Sequence, residues 1–343
     1  LDRRMEVHLL CVDWAGARPM QLRLHCLNAE RPLHFWENIT FAKQVDEYLH
    51  KKKFDLVFSL ERTLHQDVYR AGDGLHQVWI ERKLEFTPGA SRLAVKFNPL
   101  HWSTLELEKR TFDPERTKAI VANSLMVRKE IEARTSFPPS RVEVIPNGVD
   151  LGKFTPGEPS KQAASRRKFN LPPEKFIFLL VGSGFFRKGV PFAMDFVKKL
   201  RRPEAALWVI GRGDLPSGAD KSWVYHHPKV TSISEAYKAA DVFLLPTLYD
   251  PFANVVLEAM ASGLPVITSG YNGAADYIKE GEEGWIWRDL RDVDGMIQRA
   301  QPLFNKEIRQ SMGVCARDKA EQFSLDRNVD ATVEYLKQIA GLA

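Results

Sequence analysis

The chain has 343 residues, of which 44% are hydrophobic and 27% charged, and its net charge is +5. This length and composition are typical of a folded protein with two domains and exclude a disordered chain, and the longest apolar runs are too short to span a bilayer. The small positive excess fits an anionic ligand or a membrane surface and does not indicate nucleic acid as a partner.

The cysteines, Cys11, Cys26 and Cys315, are scattered and form neither a disulfide framework nor a CxxC pattern. We therefore expect a reducing, cytoplasmic setting. No HExxH or paired-histidine spacing occurs in the sequence either, so we predict no metal and no other cofactor.

Strands and helices alternate in the first half of the chain. Apolar and β-branched runs predict strands at residues 6–11, 54–60, 117–122 and 141–146, and helices are predicted at 41–51 and from a cap at Asn123 and Ser124 to about residue 135. A doubly wound domain normally begins with a strand and a Gly-rich turn before this point, and neither precedes residue 6. We therefore expect an N-terminal domain that lacks its first strand and Gly-rich loop.

A polar stretch at residues 61–76 follows a predicted strand, which is where an α/β domain places its chemistry. Asp73 lies between two glycines, which let the backbone approach a ligand closely. His65 and His76 are further titratable groups in this stretch. Because Asp-Gly is a common turn dipeptide, a hydrogen-bonded turn is the alternative interpretation.

Residues 78–111 mix basic and aromatic side chains, diluted by glutamates. Such a face can lie on anionic lipid, so one expectation is peripheral contact with an anionic membrane through this segment. The alternative is an exposed pair of helices whose aromatic rings turn inward.

The second half repeats the alternation after a linker-like stretch at residues 153–160. Parallel sheets with helices on both faces are therefore expected in two domains, with a boundary after residue 152. Strands are predicted at residues 176–181, 205–210, 230–233, 241–246, 266–268 and 284–287, and helices begin near residues 191, 234, 254, 274, 293 and 325.

The loop after the strand at 176–181 carries two cations. Gly182, Ser183 and Gly184 open like a dinucleotide fingerprint, but Arg187 occupies the place of the third glycine, so an oxidoreductase is disfavoured. We interpret Arg187 and Lys188 as a diphosphate-binding pair, in which the guanidinium binds as a fork and the ammonium as a point charge. A solvated basic turn is the alternative.

A second loop, at residues 249–260, complements the first. A helix that starts at Asn254 offers unpaired N–H groups to a phosphate, Glu258 suits ribose hydroxyls, and Asp250 can approach the group beyond the diphosphate. A capped surface helix with two solvated acids is the alternative. The predicted nucleotide-sugar site comprises Gly182, Ser183, Gly184, Arg187, Lys188, Gly211, Asp250, Phe252, Ala253, Asn254, Val255 and Glu258.

Three motifs carry a resemblance to a known family: Gly182-Ser-Gly-Phe-Phe-Arg-Lys-Gly189, Asp250-x7-Glu258 and Ile145-Pro-Asn-Gly148. Together they resemble the retaining GT-B glycosyltransferases of family four, and among them the lipopolysaccharide core glucosyltransferases. The resemblance implies an α/β GT-B fold in which two Rossmann-like domains with parallel sheets face a cleft.

The resemblance also implies a domain division. Residues 1–152 are expected to bind the acceptor, and residues 153–324 to bind the nucleotide sugar. The final helix, at 325–343, is expected to pack back on the first domain.

Roles for individual residues follow from the resemblance. Arg187 and Lys188 fall on the family's diphosphate-binding pair, and Glu258 falls on the second acid of its Glu-x7-Glu motif, which holds the ribose. Asp250 falls on the first acid, which contacts the donor sugar, and it is one methylene shorter than the family's glutamate. Asp73 aligns with an acid on the acceptor side.

The implied catalytic residues are Asp73, Asp250, Arg187 and Lys188. Asp73 would position or deprotonate the acceptor hydroxyl, with His65 and His76 as alternatives. In this family the acceptor attacks on the face from which the diphosphate leaves, assisted by the leaving phosphate, so no covalent nucleophile is assigned.

The resemblance therefore predicts a retaining hexosyltransferase with a nucleotide-diphosphate sugar, UDP-glucose being favoured, as donor. The acceptor would be a lipopolysaccharide-core or another glycan or lipid-linked molecule at the inner membrane face. Two alternatives are a nucleotide-sugar epimerase on the same fold and a non-catalytic, truncated, membrane-associated binding protein.

Overall fold

The structure is a computed structural model, and it describes residues 5–17, 19–27 and 37–342. Contacts between Cα atoms divide the chain into two units, each made of more than one segment. The first unit comprises Leu1–Ala122, Arg128–Glu143 and Glu334–Ala343, and the second comprises Asn123–Val127 and Val144–Val333. The predicted boundary after residue 152 lies C-terminal to Val144, where the second unit takes up the chain, and it stays a prediction.

The first unit contains two parallel sheets. Strands β1 (Val7–Cys11) and β2 (Leu22–Cys26) pair with each other. The other sheet has the order β3-β4-β5-β6. Its strands are Phe58–Ser59, Val68–Ala71, Ala119–Ala122 and Val142–Val144.

Five helices belong to this part of the described chain. They are α1 (Glu37–Lys51), α2 (His76–Phe86), α3 (Ser91–Lys96), α4 (Pro99–Thr111) and α5 (Leu125–Arg134). The predicted cap of α5 is confirmed, because the Val127 amide donates to the Ser124 hydroxyl over 3.1 Å.

The polar stretch at 61–76 contains a strand that was not predicted from the sequence. Val68–Ala71 forms the strand β4 between β3 and β5, and Val68 and Tyr69 are fully buried. The strand predicted at 54–60 is shorter, at Phe58–Ser59. Just before it, the Val57 amide donates to the Asp67 carboxylate and the Val57 carbonyl accepts from the Asp67 amide.

The second unit is built on a six-stranded parallel sheet of order β12-β11-β10-β7-β8-β9. The apolar runs predicted as strands form its centre, where every residue of β7, β8 and β10 is buried. The strands are β7 (Phe176–Val181), β8 (Ala205–Ile210), β9 (Val224–His227), β10 (Val242–Leu245), β11 (Val266–Ser269) and β12 (Gly284–Trp287).

The strand predicted at 230–233 is wrong, because β9 lies earlier, at Val224–His227. The Ser232 hydroxyl instead accepts a hydrogen bond from the Glu235 amide and caps the next helix. The remaining helices are α6 (Gln162–Lys168), α7 (Val190–Lys199), α8 (Ile233–Ala239), α9 (Asn254–Ala261), α10 (Val293–Ala300), α11 (Lys306–Ala320) and α12 (Leu325–Ala340). The predicted short helix at 274–279 is a 3₁₀ turn at Gly273–Tyr277.

Candidate functional site

The six-stranded sheet of the second unit has a topological switch point between β7 and β10. From β7 the chain first builds outward through β8 and β9, and then returns to the other side of β7 for β10, β11 and β12. Because all pairs are parallel, the loops after β7 and β10 leave the same edge of the sheet. Open α/β sheets bind ligands in the crevice at such a point.

Both predicted cations meet the predicted acid at this crevice. The Lys188 ammonium lies 2.5 Å from the Asp250 carboxylate, and the Arg187 guanidinium lies 3.8 Å from the same oxygen. Solvent reaches 9% of the Asp250 side chain, 11% of Lys188 and 41% of Arg187. The alternatives of a solvated basic turn and of two solvated acids are therefore wrong for Lys188 and Asp250, while Arg187 remains open to an incoming anion.

Backbone contacts hold the two loops together. The Arg187 carbonyl accepts hydrogen bonds from the Leu248 amide and the Thr247 hydroxyl, each over 2.8 Å. At Gly189 the loops are so close that an added Cβ would lie 1.8 Å from the Pro246 carbonyl oxygen. The glycine that ends the cationic loop is thus required by this approach, and its φ of +76° also favours glycine.

Asn272 holds the loop that carries Asp250 through hydrogen bonds of its side chain. Its side-chain oxygen accepts from the Ala253 amide over 3.1 Å, and its side-chain nitrogen donates to the Thr268 hydroxyl over 2.9 Å. The Asp250 amide donates to the Tyr271 carbonyl over 2.9 Å. Asn272 is 1% exposed, so this buried amide makes the hydrogen bonds that its position demands and fixes the approach to α9.

The remaining loop residues lie at the start of α9. Phe252 and Ala253 are buried, and the Asn254 side chain accepts from the Asn147 amide group over 2.6 Å. Val255 is half-buried, and its carbonyl accepts from the Tyr237 hydroxyl over 3.3 Å. The first turn of α9 therefore follows directly on the ion-paired loop.

Glu258 lies one turn into α9 and is held by Tyr237. The Tyr237 hydroxyl donates to the Glu258 carboxylate over 2.8 Å, and the tyrosine ring is fully buried. Burial raises the pKa of Glu258, while the hydrogen bond from Tyr237 and the charge of Lys153 act to lower that pKa. Tyr237 could not be found from the sequence, because a tyrosine in a short helix gives no sign of a polar role.

The glycine-rich start of the cationic loop meets the loop that follows β8. The Gly182 amide donates to the Ile210 carbonyl over 2.8 Å, and the Ser183 hydroxyl accepts from the Arg212 amide over 3.1 Å. The Gly184 amide donates to the Arg212 carbonyl over 3.2 Å, and the Gly211 carbonyl accepts from His226 over 2.9 Å. These predicted residues thus form one ridge along the C-terminal ends of β7 and β8.

Asp73 belongs to the first unit and is described there by itself. Its side chain is 68% exposed and lies 3.7 Å from the guanidinium of Arg62, which is itself 10% exposed. Arg62 also donates to the Gly74 carbonyl over 2.7 Å and pairs with Glu108 over 3.2 Å. The loop that carries Asp73 is therefore fastened to a buried ion pair.

The two histidines of this stretch differ. His65 is exposed, whereas His76 is half-buried and its ring nitrogen lies 2.9 Å from that of His101. Burial, followed by the charge of Arg62, lowers the pKa of His76 to about 3. His76 is therefore a neutral and weakly basic group at pH 7.

Metal-binding clusters and membrane-spanning helices are two other kinds of feature that the described residues could contain. Among residues 5–17, 19–27 and 37–342, no group of three or more His, Cys, Asp or Glu side chains is arranged to hold a metal ion. In the same part of the chain, every helix is too short or too polar to cross a membrane.

Two family models match the chain. The model described as Glycosyltransferase Family 4 matches residues 1–153, and the model described as Glycosyl transferases group 1 matches residues 175–306. Together the two matches leave out residues 154–174 and 307–343.

Two curated relatives illustrate the sequence likeness. The sulfoquinovosyl transferase SQD2 of Arabidopsis thaliana is 28% identical over 65% of this chain and 44% of its own length. The lipopolysaccharide glucosyltransferase WaaG of Escherichia coli is 24% identical over 83% of this chain and 77% of its own length. As with SQD2, the chain spans only part of three other curated relatives, covering 53%, 59% and 58% of their length.

Solved structures show the same fold. A crystal structure of WaaG, a glycosyltransferase involved in lipopolysaccharide biosynthesis, superposes with a TM-score of 0.77 at 22% identity and covers 99% of this chain and 92% of its own. Anabaena HepE in complex with UDP-glucose superposes with a TM-score of 0.68 at 16% identity over 93% and 86%. The predicted fold of two Rossmann-like domains with parallel sheets is confirmed.

Proposed function

We propose that this chain, which matches glycosyltransferase models of family 4 and group 1 and has their GT-B fold, moves a hexose from a nucleotide-diphosphate sugar to a glycan or lipid-linked acceptor. UDP-glucose is the donor we favour, in keeping with the complex of HepE, and a lipopolysaccharide core is the acceptor we favour, in keeping with the name of WaaG. The nucleotide-sugar site lies in the second unit, and the acceptor groups lie in the first.

The observation that carries this proposal is the cluster of Arg187, Lys188 and Asp250 at the switch point. When a sugar is transferred, negative charge develops on the leaving diphosphate, and cations fixed at that place lower the barrier. Arg187 supplies an exposed fork for the phosphate oxygens, and Lys188 supplies a buried point charge. The start of α9 adds backbone N–H groups and the positive end of a helix dipole.

The acids divide the rest of the work. Glu258, held by Tyr237, accepts hydrogen bonds from the ribose hydroxyls, and Asp250 contacts the sugar while it keeps Lys188 in place. Arg187 and Lys188 offset the negative charge of the leaving diphosphate, so we propose no resident metal. The nucleobase would contact the backbone near Gly211.

Asp73 is proposed to position or deprotonate the acceptor hydroxyl. It is exposed, whereas burial makes His76 a poor base at neutral pH, and His65 remains the second candidate. Transfer with retention then proceeds by attack on the face from which the diphosphate departs, assisted by the leaving phosphate. No covalent nucleophile takes part.

We place this reaction at the cytoplasmic face of the inner membrane, with residues 78–111 as the peripheral contact. Leu93, Phe97 and Trp102 of this segment are exposed, beside the exposed cations Arg92 and Lys96. The interpretation that the aromatic rings turn inward is therefore wrong for Phe97 and Trp102. Exposed apolar groups beside cations suit an anionic lipid surface.

Isothermal titration with UDP, with GDP and with UMP tests the nucleotide site. We expect saturable binding of one diphosphate and much weaker binding of UMP, because the cations are placed for a diphosphate. A transfer assay with UDP-glucose then tests the reaction: product should form in the presence of a lipopolysaccharide-core acceptor, and turnover of donor without acceptor would point to an epimerase. Absence of saturable binding for either diphosphate would end the proposal.

A further inference from the structure

The first unit brings two thiols together on one face of a sheet. Strands β1 and β2 are parallel, and their register pairs Cys11 with Cys26 at the C-terminal end of both strands. Register partners on adjacent strands point to the same face of the sheet, and neighbouring strands lie about 4.8 Å apart. That separation falls within the range of about 4.4–6.8 Å between Cα atoms over which a disulfide can form.

The thiols are in contact and reachable. Both are free, Cys26 is exposed and Cys11 is half-buried. Burial, followed by the hydrogen bond with the Cys26 thiol, raises the pKa of Cys11. The Leu27 amide donates to the Cys11 carbonyl over 2.8 Å, so the backbone pairing continues just past the cysteines and holds the two positions in register.

We propose that Cys11 and Cys26 form a reversible intramolecular disulfide by exchange with a small-molecule disulfide of the glutathione class. The exposed Cys26 thiolate attacks one sulfur of oxidised glutathione, which releases one glutathione thiol and leaves a mixed disulfide on Cys26. The Cys11 thiolate then attacks the Cys26 sulfur, and the second glutathione departs. The two protein thiols are oxidised, and one glutathione disulfide is reduced to two thiols.

The order of the two steps follows from exposure. Cys26 meets the reagent first because solvent reaches it, whereas Cys11 is shielded and less often ionised. Cys11 is effective in the second step because the register holds it beside the mixed disulfide, where attack is intramolecular. In a reducing compartment the pair would be reduced at rest and oxidised when the glutathione pool shifts.

The third cysteine supplies an internal control. Cys315 lies on α11 in the second unit, apart from the pair in sequence and in unit. The 343-residue chain is reduced, freed of reductant, and equilibrated in glutathione buffers of increasing oxidised fraction. Remaining thiols are then alkylated under denaturing conditions, and intact mass and peptide mapping identify each cysteine.

We expect Cys11 and Cys26 to lose alkylation together as one disulfide, while Cys315 stays alkylated or carries glutathione alone. Cys11→Ser should stop at the mixed disulfide on Cys26, and Cys315→Ser should behave as the native chain. Three alkylatable thiols after oxidation, a disulfide that includes Cys315, or a protein dimer in place of the intramolecular bond would each overturn the proposal. Because the native chain alone decides between these outcomes, the test does not depend on how the variants fold.

Discussion

At the scale of single residues, Asp250 and Lys188 depend on each other. Both side chains are largely shielded from water, and the ammonium lies 2.5 Å from the carboxylate. A shielded charge that loses its close partner is costly, whereas removing both partners together costs less. The pair therefore has a structural role that can be separated from its proposed role with the donor.

We expect Lys188→Met to lower the free energy of unfolding by up to about 3 kcal/mol, and not by more, since Arg187 remains 3.8 Å from the shielded Asp250 carboxylate oxygen. The double variant Lys188→Met/Asp250→Asn should recover most of that stability. Neither variant should bind UDP, because both lack the Lys188 ammonium. Urea unfolding and titration calorimetry measure the two effects. Lys198→Met, an exposed lysine on α7, is the matched control and should change neither quantity.

A change at Tyr237 tests the proposed role of Glu258 in binding ribose without replacing Glu258 itself. Tyr237→Phe removes the hydrogen bond that helps to keep Glu258 ionised, so the pKa of Glu258 should rise further. We expect the acidic limb of the kcat/KM profile to move to higher pH, and KM for the donor to rise about tenfold at neutral pH, which corresponds to about 1.4 kcal/mol.

The control for this variant is Tyr225→Phe, whose hydroxyl makes a long contact of 3.5 Å to a backbone carbonyl. It should leave the profile in place. An unchanged acidic limb in Tyr237→Phe would mean that the tyrosine fills space and does not tune the acid.

At the scale of elements, helix α2 is capped by a residue of another helix. Glu108 of α4 accepts from the amides of His76 and Gln77 over 2.5 and 3.1 Å, and it pairs with Arg62. The residue before the helix makes no side-chain cap of its own. The carboxylate therefore satisfies the first turn of α2 from outside and joins it to the loop of Asp73.

We expect Glu108→Ala to destabilise the protein by about 3–5 kcal/mol, because it removes the shielded carboxylate that pairs with the Arg62 guanidinium and the acceptor of two amides. Urea unfolding followed by tryptophan fluorescence reports on this region, since Trp79 and Trp102 lie on α2 and α4. Glu106→Ala on the same helix removes an exposed pair with Arg110 and should cost less than about 1 kcal/mol. Equal losses in the two variants would refute the capping role.

The sequence predicted those elements whose signals are local. The apolar run of β7, the cationic loop and Pro191 at the start of α7 stand next to each other, so the strand–loop–helix unit could be predicted. Strand β4 could not, because its buried residues are flanked by polar ones that pair with distant segments, such as Gln66 with Thr117. Strand β9 was misplaced because its histidines look like loop residues, yet His227 accepts a hydrogen bond from the buried Trp208 indole.

In the candidate site, too, contacts between distant segments could not be predicted from the sequence. The residue types at Arg187, Lys188 and Asp250 indicated anion chemistry, but the ion pair between them needs the strand order, which the sequence does not state. Tyr237 and Asn272 act through hydrogen bonds that only the folded chain brings about.

At the scale of the whole molecule, the exposed apolar residues of α3 and its C-terminal end allow a test of membrane contact. Leu93 is 58% and Phe97 67% exposed. We expect Leu93→Ser/Phe97→Ser to reduce flotation with anionic vesicles several-fold, because each apolar group buried in lipid contributes about 1.5–3 kcal/mol. Ile308→Ser removes an exposed apolar residue of α11 and should leave flotation unchanged. Equal flotation of all three proteins would remove the membrane from the proposal.

Gly184 and Gly189 share a φ of +76°, yet nothing lies within 4 Å of a Cβ added at Gly184, while the Pro246 carbonyl blocks one at Gly189. In a saturation library of the whole chain that is selected for folding, the residues accepted at positions 184 and 189 should therefore differ. Asparagine and aspartate should survive at position 184, since they tolerate the left-handed region, and position 189 should return glycine alone. Homology searches that weight every loop glycine equally would miss this distinction, which marks the place where the start of α7 meets the end of β10.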